Sequence, residues 1–200
     1  MWLASIFGIW TLWGIVWLAL GLWANRTDVA VPARRQAVYR TINILAFALM
    51  FADGIYRRTP QGLRWTPFLP RLWHVPPSLG WLLALLALGG MILAIWSRLT
   101  LGKLWSAAVT RKEGHRIIDS GPYALVRHPI YTALLMGSAA IGLGKGTPTA
   151  LAGFALMILG YSIKARLEER FLAEELGAGA YAAYRRRVPM LVPFAPPARG

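Results

Sequence analysis

The sequence predicts an all-α, multi-pass integral membrane helical bundle of about five spans. Three observations carry this. Apolar residues make up 56% of the 200 positions, ten of them Trp. They gather in several long uncharged runs, several of them near the ~20 residues that a helix needs to cross a bilayer. Twenty-two Lys and Arg face only eight Asp and Glu, a net charge of +14. The Arg residues flank the apolar runs, which suits lipid headgroups and the positive-inside bias. The basic excess therefore needs no nucleic acid, and no aromatic–basic interleaving in a polar stretch points to one. The absence of Cys excludes disulfides, a thiolate metal site and a Cys nucleophile. With three His and few acids, no metal site is expected. The length fits one structural domain.

Taken in order, Leu3–Trp23 is uncharged and long enough to span. No basic residue precedes it and no small-residue cleavage site follows, so it reads as a retained span rather than a signal peptide. Trp10, Trp13 and Trp17 fall on one helical face, a packing face toward lipid or another helix. Asn25–Arg40, with four Arg and Pro32, reads as a loop on the positive side. Thr41–Tyr56 is short for a span and borrows Ala37–Arg40, with Arg40 snorkelling. Asp53 and Arg57, four apart, read as a helical ion pair at the interface. Arg57–Ser78 holds five Pro and reads as a loop. Leu79–Ser97 is the third span.

Leu99–His128 is mixed and too polar to span. It is expected to pack on the headgroup side as a cap, with Trp105 as an interfacial anchor. Val109–Thr110 and Arg116–Ile118 flank Lys112-Glu113-Gly114 in the pattern of a small hairpin. Pro129–Gly144 and Gly146–Ile163 are the fourth and fifth spans, a tight helical hairpin turning at Lys145. Ala133 with Gly137, and Ala140 with Gly144, give small faces for close helix approach. Lys164–Leu176 continues the fifth span as a charged helix with i,i+4 pairs. Gly177 and Gly179 are expected to end it. Ala180–Val188 forms a short last helix with Tyr181, Tyr184 and Val188 on one face.

The stretch richest in chemistry is Gly121–Tyr131, Gly-Pro-Tyr-Ala-Leu-Val-Arg-His-Pro-Ile-Tyr. Gly121-Pro122 is a turn signal. Pro129 suits the first turn of a helix and pushes His128 out of helical geometry. Arg127 and His128 then stand just ahead of a helix N-terminus, where unpaired N–H groups and the helix dipole favour an anion. A basic interfacial anchor has the same composition. On the fifth helix, Glu168 and Glu169 are the first acids past the span. They point about 100° apart, so at most one is a primary contact to any ligand.

These residues together resemble the isoprenylcysteine carboxyl methyltransferase and phospholipid methyltransferase family. The resemblance rests on Leu101-Gly102 with Trp105, then His115, Gly-Pro-Tyr at 121–123, Arg-His-Pro-x-Tyr at 127–131, Glu-Glu-x-x-Leu at 168–172, Tyr-x-x-Tyr at 181–184 and Val-Pro at 188–189. It covers roughly Leu99–Phe194. Ala133 stands where the family pattern has Gly. The resemblance implies an integral membrane enzyme using S-adenosylmethionine, with residues 99–200 as the methyltransferase core behind a three-span region, 1–98, that carries no diagnostic motif.

On this resemblance the cofactor pocket draws on His115, Tyr123, Val126, Arg127, His128, Pro129, Tyr131, Glu168 and Leu172. Arg127, His128 or His115 would meet the cofactor carboxylate, and Glu168 its ribose or ammonium. Arg166 and Glu169 are candidates for positioning the acceptor. Trp105, Gly137 and Gly160 are candidates for the acceptor's path, the glycines by leaving a gap toward lipid. The acceptor is expected to be lipidic or small and apolar: an isoprenylcysteine-like carboxylate, a phospholipid amine or a thiol. The expected partners are the bilayer and that acceptor. The active site is expected to face the cytosol, in the plasma membrane if the source is bacterial. Two alternatives stand beside this reading: a sterol- or isoprenoid-type reductase using NADPH, and a non-catalytic lipid-binding or scaffold protein.

Overall fold

The structure is a computed structural model that describes residues 1–23, 26–112, 116–176 and 178–196. It is mostly helical. Among the described residues, six α-helices run α1 Trp2–Gly21, α2 Ala33–Phe51, α3 Pro77–Leu101, α4 Pro129–Lys145, α5 Pro148–Leu176 and α6 Ala178–Arg187. Four short strands, β1 Thr27–Ala30, β2 Gly54–Thr59, β3 Gly62–Pro67 and β4 Thr110–Lys112, form two antiparallel pairs, β1 with β4 and β2 with β3.

Among the described residues, three helices are long and apolar enough to cross a membrane: Trp2–Gly21, Pro77–Leu104 and Pro148–Glu175. With its apolar surface this makes the chain an integral membrane protein. The other two expected spans are weaker. α4 has 17 residues, or ~25 Å of helix. α2 carries Arg34, Arg35 and Arg40 in its first half.

The helices pack in two long pairs, α2 along α5 and α3 along α4, with α1 lying on α3 and α4. Their contacts are made by small residues and aromatic rings. Trp10 lies over Gly137, where an added Cβ would come within 2.9 Å of its ring, and Trp2 lies over Gly144 in the same way. The Trp face of α1 is therefore a helix-packing face. The Trp10 and Trp13 rings are tilted to one another with centroids 4.8 Å apart, and Trp13 meets Trp17 edge-on.

Four local expectations change. Asp53 does not pair with Arg57. It is buried and joins Lys145 and Thr147: Lys145 Nζ donates to Asp53 Oδ1, and Thr147 Oγ1 donates to Oδ2 at 2.8 Å. Arg57 instead lies in β2, exposed. The helix ends at Phe51, so the i,i+4 relation on which the pair depended does not exist. Asp53 thus ties the end of α2 to the α4–α5 turn, where Gly146 adopts the left-handed conformation (φ 64°). Likewise, Thr110–Lys112 does not fold back on 116–118 but pairs with β1. Residues 113–115 lie outside the described residues. Gln36, near the start of α2, fixes this pairing. It donates to the Val31 carbonyl (2.6 Å) and accepts from Tyr39 Oη (2.7 Å) and the Val109 amide (3.2 Å). The proline-rich 57–78 stretch holds the β2–β3 hairpin, and Gly179 sits inside α6 rather than ending α5.

At one end of the bundle the C-terminal ends of α1, α3 and α5 meet the N-terminal ends of α2 and α4. The candidate site lies there.

Candidate active site

α4 begins where Pro129 dictates. His128 is its N-cap residue (φ −125°, ψ 64°), and its carbonyl accepts the Tyr131 and Thr132 amides at 3.0 Å each. The two amides ahead of the helix do not wait for an anion. Arg127 N–H donates to the Pro189 carbonyl (2.8 Å) and His128 N–H to that of Met190 (3.1 Å). Thr132 Oγ1 donates to the Leu191 carbonyl at 2.6 Å. The C-terminal segment thereby lies against the start of α4.

Arg127 is held in the same way. Its Nε donates to Glu169 Oε1 at 2.7 Å, and its Nη1 to the carbonyls of Arg185 (3.2 Å) and Val188. Glu169 also meets His128 Nε2 at 3.1 Å and Arg185 Nε at 3.5 Å. Its side chain is only 6% exposed. A buried carboxylate is tolerated when cations and hydrogen bonds compensate it, and Glu169 has three such neighbours. It is a structural hub that sets Arg127 and His128.

One turn of 100° away, Glu168 does something different. It is 30% exposed, lies on the wall of a cavity and accepts a 2.6 Å hydrogen bond from Tyr131 Oη. The cavity has a volume of about 210 Å³. Its lining includes the charged or polar side chains of Arg116, Arg127, His128, Lys164 and Glu168. It also includes the apolar side chains of Trp17, Leu101, Leu104, Trp105, Ile130 and Leu134. The Tyr131 ring stacks on those of His128 and Tyr161, with centroids 5.2 Å apart in each case. Lys164 Nζ lies 5.0 Å from the Tyr131 centroid and donates to the Ala107 carbonyl at 2.9 Å. Burial, reinforced by the nearby Glu168 charge, pushes the Tyr123 phenol well above its ordinary value. Tyr123 therefore stays protonated on the cavity wall. Its backbone carbonyl accepts from Tyr184 Oη (2.7 Å), which fixes α6 beside it.

The residues singled out in the sequence divide into groups. Trp105, Tyr123, Arg127, His128, Tyr131, Glu168 and Leu172 line the cavity. Val126 and Pro129 are buried just behind that wall, and Glu169 forms the layer beneath. Arg166 is exposed on α5. Gly137 and Gly160 do not line the cavity. The room expected at Gly137 is taken by Trp10 and that at Gly160 by Asn43, whose Oδ1 would lie 1.9 Å from an added Cβ. His115 lies outside the described residues. Sequence reasoning missed Trp17, Thr110, Lys164 and Tyr161 on the wall. Lys164 carried a signal as the first cation past the fifth span; the others carried none. Thr110 Oγ1 is buried on the cavity wall and has no hydrogen-bond partner among the described residues.

The fold and this site define an integral membrane protein with an aromatic, mixed-charge cavity at one end of its helices. Residues 82–174 match the isoprenylcysteine carboxyl methyltransferase (ICMT) family. A methanethiol S-methyltransferase from Pseudomonas sp. (strain GM41(2012)) is 32% identical over 178 residues, 82% of this chain and 62% of that protein. The cobalt-zinc-cadmium resistance protein CzcN of Cupriavidus metallidurans is 36% identical over 99 residues, 47% of this chain and 44% of that one. Protein-S-isoprenylcysteine O-methyltransferase B of Arabidopsis thaliana is 30% identical over 87 residues, 43% and 44% of the two chains. The chain thus spans about half the length of the curated relatives it matches.

Proposed function

We propose that this protein is a membrane-embedded methyltransferase that moves a methyl group from S-adenosylmethionine to a small apolar or lipidic acceptor. The observation that carries this is one cavity holding a carboxylate, several cations and stacked aromatic rings together. The donor set fits the cofactor's chemistry. Glu168 suits the ammonium or the ribose hydroxyls, and Arg116 and Lys164 suit the carboxylate. The unpartnered Thr110 hydroxyl is a further hydrogen-bonding site. The faces of Tyr131, Tyr161 and Trp105 suit a cationic centre. When bound, the cofactor supplies a methyl carbon already activated by its sulfonium.

The protein's task is then alignment and exclusion of water. The acceptor's lone pair must reach the methyl carbon in line, within about 3–3.5 Å. One bond forms, the carbon–sulfur bond breaks, and its electron pair stays on the departing sulfur. A carboxylate acceptor is ionised at neutral pH. A thiol is a few per cent thiolate at pH 7 and strongly nucleophilic even so. Neither demands a dedicated base, and Tyr123, held protonated, is not one.

Among acceptors, a small thiol is favoured. One relative that matches over 82% of this chain is a methanethiol S-methyltransferase. The lateral gap that a lipid acceptor would use at Gly137 and Gly160 is filled. α2 and α4 complete a five-span bundle whose site end, with residues 99–128 and the C-terminus, faces the cytosol and its cofactor. The test is a titration of purified protein with S-adenosylhomocysteine and with NADPH. Saturable binding of the first and none of the second supports methyl transfer; the reverse supports a reductase.

A further inference from the structure

The family match begins at residue 82, yet the cavity has a wall outside it. Trp17 of α1 faces the cavity beside Trp105, edge-on, with ring centroids 5.4 Å apart. Both rings line the cavity, as does Leu134 of α4. A helix that touches the bundle along one face could slide or tilt, so something must hold Trp17 in place.

Arg98 of α3 does this. It is completely buried, and no carboxylate pairs with it among the described residues. Its Nη2 donates to the carbonyls of Leu20 (2.6 Å) and Trp23, at the end of α1, and its Nη1 to that of Gly102, at the end of α3. One guanidinium thus closes two helix C-termini, where the dipoles favour a cation. The same group lies 4.7 Å from the Trp105 centroid and 5.4 Å from that of Trp23. Arg98 therefore fixes α1, and with it Trp17, and fixes Trp105 directly. A Lys has one point charge and cannot reproduce a planar fork that both donates and stacks.

We infer that Trp17 and Trp105, pinned by the positioning residue Arg98, form a size filter that limits the cavity's acceptor compartment to small apolar molecules. The inference rests on the methyl-transfer reading only in naming the occupant. It explains how a family scaffold is given acceptor selectivity by a helix outside the matched region.

The chain has no Cys, so a single introduced thiol reports on the cavity. Leu134→Cys is made in the full-length protein, alone and together with Trp17→Ala, Trp17→Phe, Arg98→Lys or Arg98→Met. Each protein is labelled in lipid vesicles with methyl methanethiosulfonate and with its benzyl analogue, with and without S-adenosylhomocysteine. With Trp17 intact, the small reagent is expected to react and the benzyl reagent to lag. Trp17→Ala is expected to raise the benzyl rate by about tenfold or more, since a hydrophobic pocket discriminates ~10-fold or more per methylene of room. Trp17→Phe gives a smaller gain, and both Arg98 variants move the same way with Trp17 present. Trp17→Phe keeps a ring in place, so it decides the question if the Ala variant does not fold. Equal benzyl rates with and without the Trp17 and Arg98 changes overturn the filter. Labelling blocked by S-adenosylhomocysteine overturns the assignment to the acceptor, because the wall would then belong to the cofactor compartment. If S-adenosylhomocysteine binds to none of the proteins by calorimetry, the methyl-transfer reading fails, while the labelling ratios still decide the filter.

Discussion

Glu168 and Glu169 are adjacent and chemically identical, yet the structure gives them different work, and substitution should separate the two. Glu169→Ala leaves the buried Arg127 guanidinium without its counter-charge. Breaking a buried pair in this way costs about 3–5 kcal/mol. Glu169→Gln keeps an oxygen for Arg127 Nε but loses the charge, and a hydrogen bond to a charged group is worth about 1.5–3 kcal/mol. At ~2–4 °C per kcal/mol for a chain of this size, Glu169→Ala should lower the unfolding midpoint by at least about 6 °C, and Gln by less. Glu168→Ala loses one hydrogen bond from Tyr131 at a partly exposed site, about 1 kcal/mol. Its midpoint should fall by only about 2–4 °C, while S-adenosylhomocysteine binding should be lost. The assays are thermal unfolding in detergent and calorimetric titration of the same samples. Equal midpoint losses in the two Ala variants, or an unperturbed midpoint in Glu169→Ala, would refute the division into hub and ligand.

Other outcomes follow from the same geometry. His128→Ala should abolish or strongly weaken S-adenosylhomocysteine binding in a folded protein, whereas Glu174→Ala and Glu175→Ala should leave it unchanged in the same titration. Asp53→Ala should destabilise by about 3–5 kcal/mol by stranding the Lys145 ammonium, and Asp53→Leu combined with Lys145→Met should recover most of that in a thermal melt. Gly160→Ala should cost about 1–3 kcal/mol through overpacking against Asn43, and Asn43→Ala should relieve it in the double variant. Single cysteines at Lys103 and Ala195 should react with an impermeant maleimide from the same side of oriented vesicles; reaction from opposite sides would end the five-span topology.

Much of this was legible in the sequence because it depends on local chemistry. Pro129 fixes a helix start wherever it stands, so the position of Arg127 and His128 ahead of α4 could be read directly. The 100° step between Glu168 and Glu169 says that at most one of them faces a given ligand, but not which. The glycines about Lys145 gave the α4–α5 turn. What could not be read depends on distant partners. Asp53 looked like half of a local pair with Arg57, because a helix was assumed to continue past Phe51. Its true partners, Lys145 and Thr147, lie more than ninety residues on. Gly137 and Gly160 signalled room, but a glycine cannot say whether that room is left open or filled by Trp10 or Asn43. Arg127 signalled an anion site. The carbonyls of Val188, Pro189 and Met190 that occupy its neighbourhood belong to a proline-interrupted tail with no periodicity to place it. Trp17 was read as packing, which its neighbours Trp10 and Trp13 confirm, while it reaches the cavity itself.

The central claim is that the cavity about Glu168 is a methyl-donor site. Calorimetric titration of the purified wild-type protein and Glu168→Ala with S-adenosylhomocysteine, and of the wild type with NADPH, tests it most directly. The account predicts saturable one-to-one binding of S-adenosylhomocysteine to the wild type, loss of that binding in a folded Glu168→Ala, and no binding of NADPH. Binding of NADPH alone, or S-adenosylhomocysteine binding that survives Glu168→Ala unchanged, would contradict it.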